Sequence, residues 1–327
     1  MDSIRVEGLV KRYGALTAVD DVSFAVGEGE LFGFLGPNGA GKSTTIHMLC
    51  TLLRPTAGQA WVAGLDVQRE PTRVRRAIGL IFQDPSLDDR LTAVENLDFH
   101  ARIYNVARDV SRERSEQLLR MVDLWDRRND LVRTFSGGMK RRLEIARGLL
   151  HQPTVFFLDE PTIGLDPQTR EHIWRYLLDL RRREGVTLFL TTHYMDEAER
   201  CDRIAIIDHG RIVALDTPAA LKALVGGDVV TLRTPEQEQA AVNLQARFGL
   251  EPTREDGTLR LEVPDGEQFI PRLVTELGVP IQAIAVHRPT LDDVFIKLTG
   301  SAMRDEEGGG AWDAIRARMR SGWNRGR

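Results

Sequence analysis

The chain has 327 residues, 42% of them hydrophobic and 28% charged, so it can bury a core of ordinary size and is not a disordered polymer. At roughly 100–200 residues per domain, this length accommodates about two domains. Lys plus Arg is 44 and Asp plus Glu is 48, a formal charge of −4, which excludes a globally basic nucleic-acid binder; no nucleic-acid partner is expected.

The opening Met1-Asp2-Ser3-Ile4-Arg5 lacks a basic segment followed by an apolar stretch, so no signal peptide is expected. Leu31–Leu35 is a short apolar run that ends in a Gly-rich loop, and Thr44–Leu53 then reads as a helix. Ile78–Phe82, Val155–Leu158, Thr187–Thr191 and Ile204–Ile207 are further short apolar runs bounded by polar or turn residues. Buried parallel strands, apolar on both faces, look like this, and residues 164–185 leave room for a crossover helix. The class is α/β. Residues 92–150 read instead as a mostly helical insert: Thr92-Ala93-Val94-Glu95 is a capping-box pattern, and Ile103–Tyr104, Leu118–Leu119, Val122 and Leu124–Trp125 follow at helical spacing.

A second unit begins near Gly226-Gly227. Asp228–Arg233 reads as a strand, Pro235–Phe248 as a helix, and Glu251–Arg254 with Thr258–Val263 as a hairpin around Asp256-Gly257. A helix over Glu267–Leu277 and a strand over Ile281–Val286 complete the order βαββαβ of the ferredoxin-like arrangement, with a last helix at Leu291–Leu298. Residues 301–310 look like a linker. Ala311–Arg327 carries five Arg against one Asp, with Trp312, Ile315, Met319 and Trp323 on one helical face. This tail is either a disordered basic segment or a membrane-surface helix. The expected domains are 1–225, with the helical insert at about 85–150, then 226–300, then the tail 301–327. The two cysteines, Cys50 and Cys201, give no disulfide framework or cysteine metal site and fit a reducing cytosol. No run of about 18 or more apolar residues occurs, so a chain serving transport needs a separate polypeptide for the path.

The chemistry is carried by Gly36-Pro37-Asn38-Gly39-Ala40-Gly41-Lys42-Ser43-Thr44, which fits G-x-x-x-x-G-K-[ST] with a strand before and a helix after. Glycines let the backbone aim N–H groups at phosphate oxygens, and the following helix presents its positive end to the same anion. Lys42 adds a point charge and Ser43 a hydroxyl for Mg²⁺. Val155-Phe156-Phe157-Leu158-Asp159-Glu160 is a strand ending in two carboxylates: Asp159 is placed to hold Mg²⁺ and Glu160 to polarise an attacking water. Phe135-Ser136-Gly137-Gly138-Met139-Lys140-Arg141-Arg142 puts Ser-Gly-Gly at the head of a basic helix, a second anion-binding end or simply a helix cap.

Together these motifs, over about residues 4–222, resemble the ATP-binding subunits of ABC transporters. The resemblance supplies further roles. Gln83, after the strand Ile78–Phe82, matches the glutamine that reaches Mg²⁺ and the catalytic site. Ser136-Gly137-Gly138 matches the family signature, which faces a partner's ATP. Gly164-Leu165-Asp166 matches the D-loop, His193 the switch histidine, and Tyr13 the aromatic that stacks on adenine; a core aromatic is the other reading of Tyr13. Phe135 stands where Leu is usual and Ile163 where Ser is common, which puts the D-loop hydroxyl contact in doubt. The family sandwiches ATP between one subunit's phosphate loop and another's signature. One copy of each here implies a homodimer, or a homologous ATP-binding partner chain. Gln83-Asp84-Pro85-Ser86-Leu87-Asp88, Thr192-His193-Tyr194-Met195-Asp196-Glu197 and Pro289-Thr290-Leu291-Asp292-Asp293 resemble the daunorubicin/doxorubicin-resistance branch. That branch implies an ABC-2 type permease, drug export, and a place at the cytoplasmic face of the bacterial membrane. The alternatives are an ABC ATPase that exports another substrate (lipid, polysaccharide or ion) and, behind it, a non-transport ABC ATPase; the branch motifs disfavour an importer. The C-terminal unit is regulatory, dimer-stabilising or a packed appendage.

Overall fold

The computed structural model describes residues 2–82, 86–255 and 258–299, which form two compact units, 2–215 and 216–299. The first opens with two long antiparallel strands, β1 (Asp2–Tyr13) and β2 (Leu16–Gly27). β3 (Leu31–Leu35) leads into the phosphate loop and α1 (Lys42–Leu49). β4 (Ala57–Val62) and β5 (Leu65–Asp66) complete a four-stranded sheet in the order β2-β1-β4-β5. Next come α2 (Pro71–Ala77), β6 (Ile78–Ile81), α3 (Ala93–Ile103), α4 (Arg108–Met121) and α5 (Gly137–Leu149). β7 (Val155–Asp159), α6 (Pro167–Glu184), β8 (Thr187–Thr192), α7 (Met195–Ala198), β9 (Arg203–Asp208) and β10 (Arg211–Asp216) follow. The second sheet has the order β10-β9-β3-β8-β7-β6, and β9, β3, β8, β7 and β6 are parallel.

Every residue of β3, β7 and β8 is buried, because this sheet is covered on both faces. On one side Phe24 of β2 meets Phe32, Phe34 and Phe189, with ring centroids 5.4, 5.6 and 5.9 Å apart. That aromatic cluster locks the antiparallel sheet onto the parallel one. The antiparallel sheet is not visible in the apolar runs of the sequence. Its strands bury alternate residues, such as Ile4, Val6 and Leu9, among charged ones, and β1 shifts register against β2 several times. The helix expected at Thr44–Leu53 instead spans Lys42–Leu49: Gly41 starts it in the left-handed region, and Thr51 at φ 62° stops it. The other expected strand ends move by a residue or so, as with Ile78–Phe82, which stops at Ile81, and Val155–Leu158, which runs on to Asp159.

The helical insert is α3, α4 and α5 around Leu97, Leu119, Leu143 and Leu150. Its entry is capped reciprocally: Glu95 N donates to Thr92 Oγ1 at 3.3 Å and Thr92 N to Glu95 Oε2 at 2.8 Å.

The second unit contains α8 (Pro218–Ala223), β11 (Asp228–Arg233), α9 (Gln237–Phe248), β12 (Thr253–Glu255), β13 (Thr258–Val263), α10 (Gly266–Glu276), β14 (Ala283–His287) and α11 (Leu291–Thr299). Its sheet, in the order β12-β13-β11-β14, is antiparallel throughout, the ferredoxin-like pattern. One sheet face packs Val230, Leu232, Leu259 and Leu261 against Leu244 and Leu273. The break between units falls after Leu215, earlier than the expected 225, because α8 belongs to the second unit: Lys297 Nζ of α11 donates to Leu224 O and Val225 O at 2.8 and 3.3 Å. The Asp256-Gly257 turn, the linker and the tail with Trp312, Ile315, Met319 and Trp323 lie outside the described residues.

Candidate functional site

The phosphate loop is built where β3 ends and α1 begins. Gly36 lies so close to β9 that a Cβ there would stand 2.3 Å from Ile207 O. Gly41, at φ 108°, would put a Cβ 2.5 Å from Ala18 O. Neither position tolerates a side chain, so the loop must be glycine at both. Pro37, Asn38, Gly39 and Ala40 form the intervening turn, with Ala40 N donating to Pro37 O at 3.2 Å. Lys42 is buried, and its Nζ donates to Gly36 O at 2.7 Å and Pro37 O at 3.2 Å.

The strand ends bring the acids to this loop. β7 lies two strands from β3, with β8 between, and all three run parallel, so their C-terminal ends share one edge. Lys42 Nζ stands 3.4 Å from Glu160 Oε1. Ser43 Oγ donates to Asp159 Oδ1 at 3.3 Å, and Thr191 Oγ1 donates to the same oxygen at 2.6 Å. His193 Nδ1 is 3.2 Å from Glu160 Oε1. Lys42, Ser43, Asp159, Glu160 and His193 thus converge, although they come from three separated stretches of chain.

The electrostatics divide the two carboxylates. Burial pushes the Asp159 carboxyl up, against the opposing hydrogen bond from Thr191. Burial also pushes Glu160 up, but the hydrogen bond from His193 and the charge of Lys42 outweigh it, and its net shift is downward. Burial pulls the Lys42 ammonium down, and Glu160 and Asp159 push back. Glu160 also adopts φ 47°, a conformation uncommon for a residue with a Cβ. Its N–H is fixed by Thr191 O at 3.2 Å and Thr191 Oγ1 at 3.1 Å.

Tyr13, at the end of β1, is partly buried with its hydroxyl beside Thr44; burial raises its pKa and the contact with Thr44 opposes this. Ser136 and Gly137 are exposed at the start of α5, where Ser136 Oγ accepts from Met139 N at 3.3 Å. Asp166 caps α6, accepting from Thr169 N at 2.9 Å and Thr169 Oγ1 at 2.7 Å. The starts of α5 and α6 meet here: a Cβ on Gly138 would lie 2.6 Å from Cγ2 of Thr169, three residues after Asp166. Among the described residues no hydrogen bond or ion pair joins Ser136, Gly137 or Gly138 to the phosphate loop of the same chain. Gln83 lies outside the described residues.

Three buried residues that sequence reading did not single out hold this site. Glu197 of α7 accepts from Thr192 Oγ1 at 2.7 Å, from Trp174 Nε1 at 3.3 Å and from Thr162 Oγ1. Arg141 and Glu144 form a buried pair on α5, 3.1 Å apart. Their signal was present: on α5 they fall at the i, i+3 spacing of the apolar stripe, where charge is out of place.

The arrangement is chemically suited to a nucleoside triphosphate. The loop offers main-chain donors and Lys42 to phosphates; Ser43 with Asp159 is a hard-oxygen donor set that fits Mg²⁺. Two family models match the chain: one described as ABC transporter, over residues 19–163, and one described as the C-terminal domain of DrrA1-3-like ATP-binding proteins, over residues 217–299. The daunorubicin resistance ATP-binding protein DrrA2 of Streptomyces coeruleorubidus is 41% identical over 93% of this chain and 97% of its own length. The daunorubicin/doxorubicin resistance ATP-binding protein DrrA of Streptomyces peucetius is 42% identical over 93% of this chain and 94% of its own. Among solved structures, a dimeric ATP-binding cassette in a post-hydrolysis state with ADP and Pi is similar with a TM-score of 0.60 and 29% identity, covering 65% of this chain and 98% of that one.

Proposed function

Because the chain belongs to the family of ATP-binding subunits of ABC transporters, we propose that it is the ATP-hydrolysing motor of a bacterial exporter of hydrophobic drugs or antibiotics. The observation that carries the catalytic part is the convergence of Lys42 and His193 on Glu160, and of Ser43 on its neighbour Asp159, within hydrogen-bonding reach. The drug-export part is supported by relatives named for daunorubicin and doxorubicin resistance that align along almost the whole chain.

We assign the following division of labour. Main-chain N–H groups from Gly39 to Thr44, the positive end of α1 and the Lys42 ammonium bind the phosphates. Ser43 and Asp159, with Gln83 as the resemblance implies, hold Mg²⁺, which neutralises charge on the phosphates when bound. Glu160 stays ionised because Lys42 and His193 oppose the effect of burial, so it can accept a proton from the attacking water. His193, with Nδ1 3.2 Å from Glu160 Oε1, orients that carboxylate when Nδ1 carries the proton. Tyr13 stacks on the base.

The signature Ser136-Gly137-Gly138 and Asp166 act on the ATP of a second subunit. Each motif occurs once in the chain and the signature is exposed, so a closed homodimer with two competent sites is the simplest assembly. ATP closes it through its higher affinity for the closed state, and hydrolysis reopens it. No helix among the described residues is long and apolar enough to cross a membrane. We place the protein peripherally, at the cytoplasmic face, on an ABC-2 type permease. The docking surface is the cleft of about 370 Å³ between the parallel sheet and the helical insert, where Phe99 and Ile103 are each 60% exposed beside Leu52 and Phe82.

The test is Mg²⁺-dependent ATP hydrolysis by the purified chain beside Glu160→Gln, with particle size measured in the same samples. Wild-type turnover, its loss in the variant, and an ATP-trapped variant dimer are expected. A Glu160→Gln chain that hydrolyses ATP at the wild-type rate would remove Glu160 from the proton transfer.

A further inference from the structure

Among the buried charged groups that the catalytic scheme leaves without a role, Arg141 contacts the backbone on which the scheme depends. Arg141 is 5% exposed. Its Nε donates to Pro161 O at 2.6 Å, its Nη1 to Phe82 O at 2.6 Å and to Glu144 Oε2 at 3.1 Å, and its Nη2 to Asp159 O at 3.3 Å and Glu160 O at 3.2 Å. Four of these five acceptors are main-chain carbonyls, three of them on the consecutive residues Asp159, Glu160 and Pro161. Burying a guanidinium is costly unless every donor is met, and here the protein meets them with the backbone of the catalytic turn. Burial pulls the Arg141 guanidinium down, and the charges of Glu144, Asp159 and Glu197 push it back.

Glu144 fixes the other end of the device. It is 1% exposed, and its Oε1 accepts from Ser86 N at 2.7 Å. One turn on, Arg147 donates to Ser86 O at 2.6 Å. Helix α5 therefore grips Phe82 and Ser86, as well as the exit of β7. The same helix begins with the signature glycines. Glu160 is thus held from two sides, its N–H by Thr191 of β8 and its carbonyl by Arg141 of α5. With φ at 47°, that backbone conformation persists only because its surroundings impose it.

We propose that the Arg141–Glu144 pair is a positioning device that sets Glu160 from the signature helix, so that a signature engaged on the partner's nucleotide fixes the carboxylate in its own site. This rests on the reading of Glu160 as the proton acceptor. Arg141 acts through the backbone of residues 159–161, to which it donates three hydrogen bonds. Arg141→Lys keeps the charge but cannot supply donors to three consecutive carbonyls at once. Arg141→Met combined with Glu144→Leu keeps the volume and removes the buried charge altogether, so that neither partner is left as an unpaired buried charge.

The experiment compares the wild-type full chain with Arg141→Lys and with the double variant Arg141→Met plus Glu144→Leu. It measures kcat and KM for ATP, the Kd of a fluorescent ATP analogue, and thermal unfolding. Wild-type turnover is read first and stands as the separate test of the ATPase reading; without it both readings fall. Given turnover, the expected result is a kcat lowered about 10- to 100-fold in both variants, the size of loss that a misplacement of about 1 Å produces, with KM and Kd within about twofold. The double variant should unfold below wild type, because the carbonyls bonded to Arg141 and the Ser86 N–H bonded to Glu144 lose those partners, so kcat is read well below its unfolding transition. A double variant that turns over at the wild-type rate would overturn the proposal and leave the pair a packing element. So would a loss confined to KM or Kd. Should the double variant not fold, Arg141→Lys decides: kcat at the wild-type level refutes the device, and a lowered kcat with unchanged Kd supports it.

Discussion

Replacing Glu197 tests whether the catalytic edge is held by satisfied buried polar groups. Its carboxylate is 1% exposed and accepts from Thr162 Oγ1, Thr192 Oγ1 and Trp174 Nε1. Thr162 lies two residues after Glu160, and Thr192 directly precedes His193. Glu197→Ala leaves three buried donors without an acceptor. The indole N–H cannot turn away and costs about 1–3 kcal/mol; the two hydroxyls can rotate and cost about 1 kcal/mol each. The expected loss is therefore about 3–5 kcal/mol, a fifth or more of the 5–15 kcal/mol typical of a folded domain. Glu197→Gln keeps an oxygen for Thr162 and Trp174, and its amide can donate to Thr192 Oγ1, so it should cost about 1 kcal/mol. Urea unfolding followed by tryptophan fluorescence reads both, since Trp174 is itself one of the donors. ATP turnover should fall in the same order, because both Thr162 and Thr192 adjoin reacting groups. An alanine variant within about 1 kcal/mol of wild type would refute the reasoning, and a glutamine variant as unstable as alanine would show that charge, not hydrogen bonding, matters at this position.

Gly138→Ala should weaken the ATP-dependent dimer and lower turnover, since the new methyl stands 2.6 Å from Thr169 Cγ2. Adding Thr169→Ser removes that methyl but keeps the hydroxyl on Asp166, so the pair should recover most of the dimer seen by size measurement; no recovery would exclude the steric explanation. Acid stability should depend on His100, whose pKa is pushed down to about 3 by burial and by the charges of Arg147 and His151. The folded chain then refuses a proton that the unfolded chain takes up below about 6.5. Stability is full above that pH and falls as pH drops toward 3, by about 1–2 kcal/mol at pH 4.5 once access of water to the cleft is allowed for. His100→Gln should flatten this slope in urea unfolding compared at pH 7 and pH 4.5, and an unchanged slope would assign the acid loss to other groups.

The sequence was most legible where chemistry demands a fixed local pattern. The phosphate loop, the capping box at Thr92 and the short apolar strands each follow from a few adjacent residues, because turn geometry, helix capping and burial on both faces act over that range. The order of motifs carried the family, and the βαββαβ order of elements carried the second unit. Helix ends were less legible: α1 begins at Lys42 rather than Thr44 because the left-handed Gly41 permits it. Strands β1 and β2 escaped notice because half-buried, bulged strands lack a continuous apolar run.

What the sequence determined by itself is which groups this protein owns: a cradle for phosphates, a lysine, two carboxylates at a strand end, a histidine after another, and a serine and two glycines heading a helix. Only the tertiary structure decided their meeting. Strand order places β8 between β3 and β7, and that adjacency brings Lys42, Asp159, Glu160 and His193 onto one edge. The same is true of Arg141 and Glu197, which in the sequence are one charge in a basic run and one acid in an acidic run. Folding buries both, and a buried charge must be answered by donors or acceptors brought from far along the chain, a relation that no local pattern records.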